Sequence, residues 1–119
     1  MPTYSVNDAA VRQARRLIDD GTYDTTTEWS DAAPSTDDEN RVVERDGYAG
    51  FGAWHLAIDP EASEDTKGRY AFPYGDFERV NRAALIHAKQ RAAQNGHDEI
   101  EDAADRLLAH LDKASGAGS

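Results

Sequence analysis

Apolar residues recur at helical spacing near the N-terminus, where Ala10, Val11, Ala14, Leu17 and Ile18 form one stripe. That stripe predicts a first helix over 6–20. Ser5 is placed to cap it, Asp8 follows three residues on, and Gly21 suits the left-handed residue that ends a helix. The stretch 22–36 is rich in Thr, Ser, Asp and Pro, and reads as a loop pinned by Trp29. Ser35 and Asp38 then stand at capping-box spacing, so 36–46 is expected as a short polar helix stopped by Gly47.

From Trp54 the period changes to two. Trp54, Leu56 and Ile58 alternate with smaller residues, a strand signal that Asp59-Pro60 ends. A second strand is expected over 68–74, with Tyr70, Phe72 and Tyr74 on one face. Pro73 has no N–H to give to a second neighbour, which confines this strand to an edge or a two-stranded ribbon. Pairing it with Trp54–Ile58 would set aromatic side chains across from one another.

Asp76 reads as the cap of a third helix over 77–94, closed by Asn95-Gly96. A fourth helix starts at His97 or Asp98 and carries the most regular stripe: Ile100, Ala103, Ala104, Leu107, Leu108 and Leu111. Two helices joined this tightly must form a hairpin, and Ala84, Ala88 and Ala92 permit close approach. Asp102 and Arg106 stand four apart and predict an ion pair. The expected fold is therefore α+β and mostly helical. It has about four helices, a small antiparallel two-stranded aromatic ribbon and a C-terminal helical hairpin, as one domain over 1–113 with a flexible tail over 114–119.

Composition narrows the function classes. The 119 residues include no cysteine, which excludes disulfides, cysteine-ligated zinc and thiol catalysis. No apolar run approaches the length of a bilayer span and no leader-like segment opens the sequence, so a cytoplasmic protein is expected. Net charge is −10, and most of it lies in 19–46, where ten acids face only Arg41 and Arg45. A field of that sign opposes direct binding to nucleic acid or an anionic membrane.

Candidate chemistry is sparse. His55, His87, His97 and His110 are scattered, with no pair at the spacing that puts two ligands on one helical face, so no metal is expected. Asp37-Asp38-Glu39-Asn40 lacks the glycine and the register of a calcium loop, and reads as a charged first helical turn. The serines fall in caps, loops and tail, with none at a strand-to-helix elbow. Gly47, Gly50 and Gly52 do not follow the dinucleotide order. No catalytic residue and no cofactor is assigned. A basic strip of Arg79, Arg82, Lys89 and Arg91, with Arg12, Arg15 and Arg16, reads first as internal neutralisation of the acidic 19–46 segment.

The residues Lys67-Gly68-x-Tyr70-x-Phe72-Pro73-x-x-Asp76, then Val80-Asn81-Arg82-x-Ala84-Leu85, then Ile100-x-x-Ala103-x-x-x-Leu107, form a pattern. It resembles a small domain of bacteriophage and actinobacterial open reading frames, some within phage head-morphogenesis proteins. The connection between the two helices, glycine-rich in that domain, is Asn95-Gly96 here. The resemblance implies a phage or actinobacterial setting and a small interaction module, and it carries over no catalytic residue.

The leading expectation is a non-enzymatic interaction or accessory module with a protein partner. Its candidate surface is Trp54, Tyr70, Tyr74, Arg79, Arg82 and Lys89, with the oligomeric state left open. One alternative is an acidic mimic that occupies a nucleic-acid-binding protein through the 19–46 carboxylates. Another is a small-ligand binder or enzyme with a pocket between ribbon and helices, where His55 and Asp59 would be the titratable groups of interest.

Overall fold

The structure, a computed structural model, describes residues 3–116. Its C-terminal hairpin follows the stripes closely. Helix α4 (Arg82–Gln94) buries Ala84, Leu85, Ala88 and Ala92, and helix α5 (Asp98–Ser115) buries Ile100, Ala104, Leu107 and Leu111. Alanine on α4 lets the two helices approach, and leucine and isoleucine on α5 fill the space between them. Asn95-Gly96 closes α4: Gly96 takes φ 72°, and its N–H and that of His97 bond to the carbonyls of Ala93 and Ala92. The Asp102–Arg106 pair forms at 3.0 Å.

Helix α1 (Asp8–Asp19) packs Ala10, Ala14 and Ile18 into the same core, with Val11 and Leu17 half-buried beside them. It begins later than expected. Ser5–Val6 is a strand, β1, paired antiparallel with Ile58 and Ala57. Asn7, at the helix start, donates its N–H to the Leu56 carbonyl. Its buried side-chain amide donates to the Gly52 and His55 carbonyls at 2.9 and 3.1 Å. Satisfying two buried carbonyls outweighs capping, since each left unpaired costs about 1–3 kcal/mol. Ser5 is therefore no cap.

The expected two-stranded ribbon is thus the right-hand part of a three-stranded sheet. Strand β3 (His55–Ile58) lies in the middle, between β1 and β4 (Tyr70–Pro73), both antiparallel to it. In register, Ile58 faces Tyr70, Ala57 faces Ala71 and His55 faces Pro73. Pro73 sits on an edge strand, as its missing N–H requires. Tyr70, Phe72 and Tyr74 do not share a face. Phe72 has φ 63°, which turns the strand and breaks the alternation. The three rings then have different partners: Tyr70 meets Phe51 and His55, Phe72 meets Tyr4 and His97, and Tyr74 stacks on Trp54, with Phe77 linking the first set to the third.

Two further differences come from local hydrogen bonding. Residues 22–36 contain a two-residue strand β2 (Tyr23–Asp24) and a single helical turn α2 (Trp29–Ala32), making five α-helices among the described residues rather than four. β2 pairs in parallel with β5 (Val80–Asn81), and Trp29 is half-buried. The helix expected over 77–94 starts only at Arg82, where the Asn81 side chain accepts from the Ala84 N–H. Asp76 instead accepts from the N–H groups of Glu78 and Arg79, closing a tight turn in which Phe77 has φ 71°.

Helix α3 (Thr36–Gly52) has the capping box at Ser35 and Asp38. Gly47, at φ 76° and ψ 177°, interrupts it as expected, yet the chain resumes helical turns as far as Gly52. Helix α5 runs through Ala114 and Ser115, so the tail expected from 114 begins in its last turn. Residues 117–119 lie outside those described. No helix among the described residues is long and apolar enough to cross a membrane.

Candidate functional site

Tyr74 drops out of the expected interaction surface. Tyr74 is wholly buried, with Trp54 stacked on it at 5.2 Å, so Tyr74 belongs to the core. Tyr70 is half-buried over Gly52 and among Phe51 and His55. The cations are engaged by their own neighbourhood. Arg82 grips Asp112 with two bonds of 2.7 and 3.1 Å, and Lys89 meets Asp105 at 2.7 Å. Both pairs cross the α4–α5 hairpin. Arg79 lies 3.9 Å from Asp76. Arg82 and Lys89 of the basic strip are thus neutralised by α5, while Arg79 also acts on Asp24 of 19–46. Within 19–46, Asp38 pairs with Arg41, Asp46 with Arg45, and Glu39 with Lys67.

His55 and Asp59 do not face a common pocket. The Asp59 carboxylate accepts from the Glu61 N–H and so shapes a turn. His55 is buried beneath Phe51, Tyr70 and Phe77, with Nδ1 3.0 Å from the Phe51 carbonyl. Nδ1 therefore carries the proton and donates. Burial pushes the His55 pKa down to about 4, and the bond to Phe51 opposes that shift without cancelling it.

The sign of the resulting pH dependence follows directly. Above the unfolded value near 6.5 the ring is neutral in both states and contributes no slope. As pH falls towards 4, the unfolded chain takes up the proton first, so up to about 3 kcal/mol of stability should drain away between those values. Urea unfolding of the wild type at pH 7.5, 5.5 and 4.5 should show it, and His55→Gln should flatten that window. An unchanged slope in the variant would place the titrating group elsewhere. Asp24, held down to about 2 by bonds from Thr27 and Thr26, acts only below this range.

A groove does lie between sheet and hairpin. Tyr4, Ala71, Phe72 and Pro73 form one wall, and His87, Arg91, Asn95 and His97 the other, around about 460 Å³. Three rings meet edge to face in it. Tyr4 lies 5.7 Å from Phe72 and 5.2 Å from His97, and Phe72 lies 5.9 Å from His97. The sequence brings them together through β1's pairing with β3, the tight Asn95-Gly96 turn and the left-handed backbone of Phe72. A bulky side chain in that region costs about 1–3 kcal/mol, and such residues concentrate at functional sites.

Its one fixed charge is positive. Arg91 and His87 are exposed, His97 is partly so, and no carboxylate lines the groove. Arg91 has no ion-pair partner among the described residues. The Asn95 amide donates to the Arg91 carbonyl, holding the end of α4 in place. Sequence reasoning identified Phe72 as aromatic core and Arg91 as part of a strip, and it assigned Tyr4, His87, Asn95 and His97 to no surface. The Asn95-Gly96-His97 turn was the one signal that foreshadowed where His97 would sit.

Among the described residues no three His, Asp or Glu side chains gather as metal ligands would. Compared with family models, with curated proteins and with solved structures, the chain matches none.

Proposed function

We propose that this chain is a non-enzymatic protein-interaction module that engages its partner through the groove between β4 and α4. The observation that carries the proposal is the groove's composition. Half-buried aromatics, a proline and an unpaired arginine share one concave surface beside a strained Phe72. Aromatic and arginine side chains are the anchors that dominate interface energetics. The resemblance of 67–107 to a phage and actinobacterial domain supplies the setting, that of an accessory protein of a phage or of a phage-derived locus. Of the ten acids of 19–46, Asp19, Asp38, Glu39 and Asp46 are held by side chains of this chain, which weighs against the nucleic-acid mimic.

Photo-crosslinking tests it. A benzophenone side chain at His87, in an extract of the native source, should give one discrete adduct, while the same group at exposed Ser63 should give none. Excess wild-type protein should suppress the adduct, and Phe72→Asn should not. Asparagine tolerates the left-handed backbone, so this variant removes the ring without refolding the turn. Equal adducts from both positions, or competition by Phe72→Asn as strong as by wild type, would overturn the proposal.

A further inference from the structure

The geometry points to a defined occupant: we infer that the groove takes the free C-terminus of a partner chain, an apolar last residue followed by its carboxylate. This rests on the interaction-module reading and adds the chemistry of the partner.

The one fixed charge in the lining is the Arg91 cation, and no carboxylate accompanies it. The Arg91 guanidinium offers a planar fork that matches a carboxylate in two parallel bonds, and the imidazoles of His87 and His97 add N–H groups beside it. No acid of this chain satisfies them, although acids outnumber basic residues 23 to 13. Two acids of α5 turn elsewhere: Glu99 lines the separate cleft between α1 and α5, and Asp105 is held by Lys89. Arg15, also without an ion pair among the described residues, lines a cleft together with Asp8, Glu99 and Asp102. Arg91 instead lies in a groove lined by no carboxylate, and that setting leaves room for an outside anion.

Opposite the donors stands an apolar wall of Tyr4, Ala71, Phe72 and Pro73. The complementary ligand therefore carries one carboxylate within a few ångströms of an apolar side chain, which is the chemistry of a chain terminus. The net charge of −10 favours a single anionic group over an acidic segment, because every further carboxylate meets the protein's own field. Screening over about 8 Å at physiological salt confines that field and leaves the groove's local charge to decide. A volume of about 460 Å³ suits the last two or three residues of a chain rather than a helix or a longer strand.

The test is a titration of the full chain followed by NMR of the Tyr4, His87, Arg91 and His97 resonances. The probes are acetyl-Ser-Ala-Leu-Phe with a free carboxylate, the same peptide as its C-terminal amide, and N-acetylphenylalanine. The free acid should shift the groove resonances saturably, with a Kd no weaker than about 1 mM. Amidation should weaken it about tenfold, and Arg91→Gln should do the same to the free acid while leaving the amide unchanged, since the charge-assisted fork is what both remove. Arg91 is exposed, so its replacement leaves the core intact.

Acid and amide binding equally at the groove would overturn the terminus while leaving an interaction groove in place. Free-acid binding that persists in Arg91→Gln would do the same. N-acetylphenylalanine binding as tightly as the peptide would make the groove a small-molecule site, overturning both this inference and the interaction-module reading. Absence of any saturable shift would overturn the inference alone, leaving the crosslinking result to stand or fall by itself.

Discussion

Tyr74→Ala is expected to destabilise the chain by about 3–5 kcal/mol, the loss typical of a buried aromatic truncated to alanine. Tyr74 heads the fully buried side chains by size. Its ring stacks on Trp54 at an interplanar angle of 24°. Its hydroxyl donates to the Ala53 carbonyl at 2.8 Å and accepts from the Gln13 amide at 3.0 Å, joining the end of α3 to α1 through β4's own extension. Burial pushes the phenol pKa up, so the group stays a neutral donor across the accessible pH range. Tyr74→Phe keeps the stack and removes both bonds, and should cost about 1–3 kcal/mol because the Ala53 carbonyl and the Gln13 amide lose their partner. A domain of ordinary stability has about 5–15 kcal/mol to lose, so the alanine variant should sit near the edge of folding. Urea unfolding followed by Trp fluorescence measures both. A Tyr74→Ala loss no larger than that of half-exposed Tyr48→Ala would show that the ring is not the keystone of this core.

The hairpin was legible because its signals are local and mutually consistent. Ala84, Ala88 and Ala92 on one helix, Ile100, Ala104, Leu107 and Leu111 on the other, and Asn95-Gly96 between them all point to one packing. The pairing of β3 with β4 was legible for the same reason. What escaped was set by side-chain hydrogen bonds, long-range and buried at Asn7, local and exposed at Asp76. Ser5 reads as a cap until Asn7 is seen to be needed 45 residues away at Gly52. Asp76 reads as a helix cap until Phe77, at φ 71°, makes a turn of the same residues. The groove escaped because it depends on two such events. β1 must add to the sheet to deliver Tyr4, and Phe72 must leave the β region to meet it. Periodicity reports neither. Ion pairing escaped differently: the sequence shows that Arg82 and Lys89 need partners, and only the hairpin register shows that Asp112 and Asp105 are opposite them.

Gly75→Ala should be at least as damaging as any polar substitution, at about 3 kcal/mol, the upper end of what overpacking costs. A methyl group there would stand 2.2 Å from the Arg79 carbonyl oxygen and 2.8 Å from Cζ3 of Trp54. The indole has some freedom. The carbonyl has little, because the turn that carries it is tied three times: the Asp76 carboxylate accepts from Glu78 and Arg79, the Asp76 N–H donates back to Arg79, and Gly75 bridges to Val80. Opening that turn would release Val80 from the core and detach β5 from β2, next to the Asn81 cap that starts α4. Gly21→Ala is the control. Gly21 sits in the left-handed region, at φ 77°, where Gly75 does not, and has no atom within 4 Å of the added methyl, so it should lose only about 1 kcal/mol of backbone preference. The Gly75 penalty is then steric where that of Gly21 is conformational, and the displaced indole should red-shift its emission in the folded variant. Equal losses at the two glycines, with emission unchanged, would mean that the 75–80 turn yields freely and that the Trp54–Tyr74 stack does not depend on it.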